Sequence, residues 1–150
     1  MNTTSAIKAY GNVGIESEVM GADPHKLISM LFQGALLAIA NAKNGMLNKQ
    51  IAVKGAAISK AIAIIDDGLN ASLDKNVGGE MAQNLSSLYV YMTYRLIDAN
   101  VKNDTEILDE VTRLLTELKT AWDAIRPQVV HPPVPSATAA SNAQRAYGSA

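Results

Sequence analysis

The chain has 150 residues, of which 48% are hydrophobic and 18% are charged, and its formal net charge is -1. This length allows one domain with its own core, and the balanced charge predicts neither nucleic acid nor an anionic membrane as a partner. The absence of cysteine excludes disulfide bonds, thiol nucleophiles and cysteine-ligated metals.

Residues 1–22 are small and polar, and glycines interrupt them at Gly11, Gly14 and Gly21. They predict a flexible arm with room for one short extra helix, on which Ile7 and Tyr10 would share a face because they are three positions apart. The start of the chain has neither a basic segment nor an apolar run, so no secretory signal is predicted. No apolar stretch approaches the roughly 20 residues of a membrane-spanning helix. We therefore expect a soluble, cytoplasmic protein.

Two long helices follow the arm. Asp23 and Pro24 predict the start of the first, since aspartate caps free amides and proline needs no hydrogen-bond acceptor at the first helical position. Asn44, Gly45 and Asn48 predict its end. The second helix runs from about residue 51 to 73, and residues 74–79 are predicted to form a tight connection. Its apolar stripe is Ile58, Ile62, Ile65, Leu69 and Leu73.

The stretch from 79 to 100 predicts a third helix that is apolar on more than one side. One stripe at helical spacing is Met81, Leu85, Leu88, Met92, Leu96 and Ala99. A second apolar set lies off that stripe and consists of Tyr89, Val90, Tyr91, Tyr94 and Ile97. Such a helix either is covered by its neighbours or itself covers a partner. Tyrosine suits a surface that is sometimes buried and sometimes wet.

Asn103 or Asp104 is predicted to cap a fourth helix, which Pro127 ends. Its apolar stripe is Ile107, Val111, Leu114, Leu118, Trp122 and Ile125. Residues 127–150 are rich in proline, alanine and serine and carry one charged side chain, Arg145, so they predict a disordered tail.

Four helices with short connections predict an all-α fold, an antiparallel up-down four-helix bundle. The expected organisation is an arm over 1–22, a helical-bundle domain over 23–126 and a disordered tail over 127–150.

Catalytic and metal-binding patterns are missing. Carboxylate-bridged metal pairs in bundles need Glu-x-x-His, and neither His25 nor His131 follows a glutamate at that spacing. We expect His25 to be a surface or capping residue. The adjacent acids Asp66 and Asp67 point in different directions on a helix and predict a solvated face. We therefore expect no metal, no cofactor and no enzymatic activity, and the remaining apolar surface indicates a module that binds partner helices.

An ordered set of short motifs resembles the flagellar secretion chaperones of the FliS type. The motifs are Lys8-Ala9-Tyr10, Pro24-His25-Lys26-Leu27-Ile28, Met30-Leu31-Phe32, Lys60-Ala61-Ile62, Gly78-Gly79-Glu80, Leu88-Tyr89, Tyr91-Met92, Arg95-Leu96 and Ala121-Trp122. Gln33 and Val90 depart from the pattern, because many relatives carry an acid at these positions.

The resemblance implies an export chaperone that binds the disordered C-terminal segment of flagellin as helices in apolar grooves. Such a chaperone prevents premature polymerisation in the cytoplasm and delivers flagellin to the flagellar type III export gate. Ile7 and Tyr10 match arm residues that are implicated in docking to the export-gate membrane protein. For the groove that binds flagellin, we expect Ile65 and Leu69 on the second helix and Tyr89 and Met92 on the third.

Two other functions remain open from the sequence. One is a general helical adaptor or anti-polymerisation protein for another secreted helical client. The other is a metal-dependent bundle enzyme, which would require stoichiometric iron or manganese. A homodimer is also left open.

Overall fold

A computed structural model of the chain describes residues 23–125, which form four helices packed as an antiparallel bundle. Each helix packs against the next in the chain, and the first also packs against the last, which closes the bundle. This architecture confirms the predicted all-α fold. The helices are α1 (Pro24–Leu47), α2 (Ile51–Ala63, continued by a π-helical segment Ile64–Asn70), α3 (Lys75–Lys102) and α4 (Thr105–Ala124). The predicted arm, the predicted tail and the boundaries that separate them from the bundle lie outside the described residues or at their edge, and they stay predictions.

The predicted start and end of α1 are both confirmed. The Asp23 carboxylate accepts a hydrogen bond from the backbone amide of Lys26 at 2.7 Å, and Pro24 occupies the first helical position. The helix ends at Leu47, and Asn48 follows as the C-cap residue.

A glycine allows α1 and α2 to approach closely at their connection. A Cβ atom built on Gly45 would lie 2.8 Å from the backbone nitrogen of Lys54, which is closer than real Cβ contacts. Because the obstructing atom belongs to the backbone, α2 would have to move to accept any larger residue. Glycine at position 45 therefore sets the spacing of the first two helices.

The π-helical segment at the end of α2 was not predicted from the sequence. In a π-helix each turn holds more residues than in an α-helix, so the apolar register shifts. Here the shift buries Ile64 and Ile65 together, and Leu69 is also buried. The amide of Ala71 donates to the carbonyl of Asp66, five residues earlier, at 3.2 Å.

The predicted tight connection over 74–79 is wrong in part, because α3 already begins at Lys75. The Asp74 carboxylate caps this helical turn by accepting hydrogen bonds from the amides of Asn76 and Val77 at 3.1 and 3.0 Å. The glycine-rich stretch instead produces a kink within α3, where Gly79 has φ of 59° and ψ of -135°. Glycine adopts this left-handed conformation without the steric cost that a side chain would add.

The turn between α3 and α4 uses Asn103 and Asp104 for different tasks. Asn103 ends α3 in the left-handed conformation, with φ of 51°. Asp104 is the N-cap of α4, and its carboxylate accepts a hydrogen bond from the amide of Glu106 at 2.9 Å. The sequence left this choice open.

Reciprocal contacts between His25 and Trp122 tie the start of α1 to the end of α4. The Trp122 indole N–H donates to the His25 carbonyl at 2.9 Å, and His25 Nε2 lies 2.7 Å from the Trp122 carbonyl oxygen. The two rings stack with centroids 4.4 Å apart. His25 is only 2% exposed, so the expectation of a surface histidine is wrong, whereas its contact with the Trp122 carbonyl caps the last turn of α4 and not its own helix. The error arose because its partner is distant in sequence.

Asp123 adds a second connection at the same end of the bundle. Its carboxylate accepts hydrogen bonds from the Ser29 hydroxyl at 2.8 Å and from the Lys119 ammonium at 2.7 Å. Burial would raise the pKa of Asp123, but the hydrogen bonds from Lys119 and Ser29 outweigh it and lower the pKa below its ordinary value. The ionised form is therefore the one that holds α1 and α4 together.

We predict that Trp122→Phe lowers the free energy of unfolding by about 1–3 kcal/mol, because the hydrogen bond from the indole to the His25 carbonyl is lost. Urea denaturation measures this change. The exposed neighbouring change Ala121→Ser is the control and should alter stability by less than about 0.5 kcal/mol. Equal stability of the two variants would show that the reciprocal contact does not hold the bundle closed.

Candidate partner-binding surface

An exposed apolar stripe runs along the outer side of α3. Val90, Tyr94, Ile97 and Val101 follow one another at steps of 4, 3 and 4 residues, so they share one face of the helix. They are 39%, 65%, 48% and 77% exposed, respectively. We call these four residues the outer stripe. A continuous exposed apolar face marks an interaction site more often than isolated exposed apolar residues do.

The opposite side of the same helix forms part of the core. Met92, Leu96 and Ala99 are fully buried there, in the hydrophobic core to which all four helices contribute. Because successive residues turn by about 100° around an α-helix, the outer stripe lies roughly opposite to this buried side. The bundle therefore uses one apolar face of α3 for its own stability, and its other described helices leave the outer stripe exposed.

The four predicted groove residues lie in the core instead of on the surface. Ile65 and Met92 are fully buried, and Leu69 and Tyr89 are 2% and 3% exposed. Burial raises the pKa of the Tyr89 phenol far above its ordinary value. That these side chains contact a partner stays a prediction, and in this structure contact would require the covering side chains to move.

The signal for the outer stripe was present in the sequence. Val90, Tyr94 and Ile97 belong to the apolar set that lies off the main stripe of the third helix. Val101 extends it at the same spacing but falls just beyond the predicted end of that helix. Periodicity shows that two faces are apolar, but it does not show which face the other helices cover.

A polar cluster borders the outer stripe on the side that faces α4. The Tyr91 hydroxyl donates to Glu110 at 2.5 Å, and the Arg95 guanidinium donates to the other carboxylate oxygen at 2.9 Å. Arg95 also contacts Asp98 at 3.3 Å. The cluster holds the Tyr91 ring, 43% exposed, beside the outer stripe and links α3 to α4.

The charges in this cluster reinforce one another. Hydrogen bonds from Tyr91 and then from Arg95 lower the pKa of Glu110 below its ordinary value. The hydrogen bond between Tyr91 and Glu110 raises the pKa of the Tyr91 phenol. The hydrogen bond between Arg95 and Glu110 raises the pKa of the Arg95 guanidinium. At neutral pH Glu110 is therefore an anion that accepts from two neighbours.

The described residues contain no metal centre. Over 23–125 no group of three or more histidine, cysteine, aspartate or glutamate side chains is arranged to hold an ion. Asp66 and Asp67 are both exposed. Asp109 and Glu110 are also adjacent in the sequence, but Asp109 contacts Lys43 at 2.9 Å and Glu110 contacts Arg95. In the same region no helix combines the length and hydrophobicity needed to cross a bilayer. The arm residues Ile7 and Tyr10 lie outside the described residues.

The structure is a small helical bundle in which one helix is apolar on two opposite faces, an arrangement that suits the docking of a partner helix. Comparison with known proteins identifies the family of this chain. The family model for flagellar protein FliS matches residues 6–129. This chain is therefore a member of the FliS family.

Individual relatives support the same assignment over most of the chain. The flagellar secretion chaperone FliS of Salmonella typhimurium is 50% identical over 128 residues, which cover 85% of this chain and 95% of the relative. The flagellar secretion chaperone FliSB of Pseudomonas aeruginosa is 50% identical over 125 residues, which cover 83% and 98%. The FliS of Bacillus subtilis is 36% identical over 107 residues, which cover 71% and 78%. Membership in this family of flagellar chaperones implies a protein that is not an enzyme.

We predict that the cluster around Glu110 makes stability depend on pH in the acidic range. Because the pKa of Glu110 is lowered from 4.5 on folding, its contribution is complete above about pH 4.5 and is lost as the pH falls through the lower folded value. Glu110→Gln should lower stability slightly at neutral pH and weaken the loss of stability between about pH 5 and 3.

Urea denaturation at several pH values measures this effect. Glu117→Gln, which changes an exposed acid on the same helix, is the matched control and should keep the pH dependence of the original chain. An identical pH profile for the two variants would contradict the role of Glu110.

Proposed function

We propose that this protein is a cytoplasmic export chaperone that binds the C-terminal segment of flagellin. The segment is disordered when free and lies on the chaperone as helices, which prevents premature polymerisation. The loaded complex is then delivered to the type III export gate of the flagellum. Membership in the FliS family supports the flagellar role, and the outer stripe is the observation that supports binding of a helical client.

The spacing of the outer stripe suits one amphipathic helix. Steps of 4, 3 and 4 residues on α3 are matched by apolar side chains at the same spacing on a partner helix, as in other helix-in-groove complexes. Tyr94, 65% exposed, supplies a broad ring and a hydroxyl, a combination that is enriched at protein interfaces. In this proposal Ile65, Leu69, Tyr89 and Met92 belong to the same site as the layer beneath the surface, which a client reaches only if the covering side chains move.

The C-terminal segment of flagellin is the part of the client that this proposal requires. A pull-down with full-length flagellin should recover the complex, and flagellin without that segment should not be recovered. Unchanged affinity for the truncated flagellin would refute the proposed binding mode. If another secreted helical protein dominates a pull-down from cells, the general adaptor function is the better explanation.

We predict that the double substitution Tyr94→Asp with Ile97→Asp weakens binding of a flagellin C-terminal peptide about a hundredfold or more. Two carboxylates would then have to be desolvated where apolar contacts are expected, and each hot-spot residue contributes about 2 kcal/mol or more. Both positions are exposed, so the helix content should be unchanged. Isothermal titration calorimetry measures the affinity, and circular dichroism measures the fold.

The matched control is Leu37→Asp, which places the same charge at an exposed apolar position of α1, 57% exposed. It should bind the peptide with nearly unchanged affinity, because α1 and α3 are not neighbours around the bundle. If both variants bind like the original chain, the outer stripe is not the client surface.

The arm residues Ile7 and Tyr10 are proposed to dock the loaded chaperone to the export-gate membrane protein. We predict that Tyr10→Ala leaves flagellin binding equal or tighter and weakens the interaction with the cytoplasmic domain of the gate protein. Co-sedimentation of the two proteins with and without flagellin measures both effects. Loss of both interactions in a folded variant would contradict a separate docking role for the arm.

A further inference from the structure

A hollow of about 430 Å³ lies at the end of the bundle where α1 turns into α2. Gly45 and Met46, near the end of α1, form one side of it. Ile51 and Lys54, in the first turns of α2, form another, and Asn103, which ends α3, completes it. The hollow is partly open to solvent and is a separate feature from the outer stripe, which is a continuous face on one helix.

Lys54 brings a buried positive charge to this hollow. The residue is 8% exposed, and its ammonium donates to the Asn100 carbonyl at 3.1 Å and to the Asn103 side-chain oxygen at 2.6 Å. Both acceptors are neutral. Within residues 23–125 no carboxylate forms an ion pair with Lys54, whereas Lys43 and Lys119 each have an acidic partner. A largely buried charge that has no opposite charge beside it is favoured by any anion that can reach it.

The end of α3 accounts for part of that charge. The Asn100 carbonyl is among the last carbonyls of α3, which find no N–H donor within the helix. The Lys54 ammonium supplies a donor to it. A helix C-terminus, however, carries only about half of a negative charge. The two acceptors also use only two of the three ammonium protons. The third ammonium proton of Lys54 has no acceptor among the described residues.

The other walls of the hollow add positive charge. Lys49 lines it, and α2 begins beside it at Ile51 without a side-chain cap from Gln50. The first amides of a helix carry partial positive charge and bind anions readily. No aspartate or glutamate lines the hollow, and the nearest acid along the chain, Asp104, accepts instead from the amide at the start of α4.

We propose that this hollow binds a carboxylate group that carries a short apolar chain. The carboxylate lies between the Lys54 ammonium and the start of α2, where it accepts the remaining ammonium proton. The apolar part contacts Met46 and Ile51, which supply the hydrophobic portion of the lining. Lys49 stands at the same site and adds a second cation.

Two sources present this chemistry. One is a free short-chain carboxylic acid. The other is the terminal carboxylate of a bound polypeptide, because the outer stripe ends at Val101, two positions before Asn103, and a helix on that stripe extends toward this end of the bundle. The second source rests on the proposed function, whereas the first does not.

The test titrates the full chain with sodium butyrate at constant ionic strength and follows the backbone amides of Gly45, Ile51 and Ala52 by NMR. We expect saturable shifts at these amides and no saturable shifts with butyramide, which has the same shape without the charge. Equal responses to butyrate and butyramide, or shifts spread over all lysine-bearing surfaces, would overturn the proposal.

Substitutions locate the site. Lys54→Met should abolish butyrate binding, but it also leaves the Asn100 carbonyl without its donor and risks the fold. Lys49→Gln changes an exposed residue and should weaken butyrate binding about fivefold to tenfold, as expected for one charge-assisted contact. Lys102→Gln removes an exposed lysine at the same end of the bundle that does not line the hollow, and it should have no effect. Equal affinity in the Lys49 and Lys102 variants would overturn the site.

A second experiment identifies the source of the carboxylate. A flagellin C-terminal peptide is compared in two forms, one with a free terminal carboxylate and one with a terminal amide. Tighter binding of the free acid, lost in Lys49→Gln, assigns the hollow to the chain end of the client. Equal binding of the two forms assigns it to a free small acid. Failure of both peptides to bind counts against the proposed function and leaves the butyrate result to decide the site.

Discussion

The structure depends on how a bundle of four helices distributes its apolar surface. A closed bundle buries one face of each helix, and α3 carries a second apolar face on its outer side. The buried face, with Met92 and Leu96, has no exposure, whereas Tyr94 and Val101 on the outer face are 65% and 77% exposed. Exposure of such a face lowers solubility unless a partner covers it. The exposed face therefore has an energetic cost that the proposed binding of an apolar client segment would remove.

A surface of this kind needs a rigid support, and polar contacts at both ends of the bundle supply it. At one end, His25 and Trp122 exchange hydrogen bonds and stack, and Asp123 joins α1 to α4 through Ser29. At the other end, the Lys54 ammonium joins the start of α2 to the end of α3. These contacts are directional, unlike apolar packing, so they fix the register of helices whose alanine-rich cores would otherwise allow sliding. The outer stripe is therefore a preformed surface.

Local chemistry made much of this fold predictable. Asp23 with Pro24 and the apolar period of each helix gave the helices and their order, because capping and amphipathicity are local properties. The π-helical segment and the early start of α3 were not predictable in the same way. The first arises from a shift that buries Ile64 beside Ile65, and the second from the Asp74 cap acting ahead of the Gly79 kink. The role of His25 was missed because Trp122 lies 97 positions away.

The candidate surface was likewise only partly predictable, because the sequence shows that α3 has two apolar faces but not which one is exposed. The size of the outer stripe also limits the affinity that it can supply alone. From Val90 to Val101 is a rise of 11 residues, or about 16 Å of helix, with one apolar anchor for every three or four residues.

Ordering a disordered client costs about 1–2 kcal/mol per residue in backbone entropy. Fully burying one apolar side chain returns about 1.5–3 kcal/mol. Even when the apolar anchors of both partners are counted, the free energy gained by burying each anchor is offset by the entropy lost in ordering the residues between anchors. If a client helix binds the outer stripe as proposed, the stripe orients that helix but does not hold it tightly, and strong binding requires the client to continue onto other surfaces of the bundle. A client held by several weak contacts can also be released one contact at a time, which is the property that export requires.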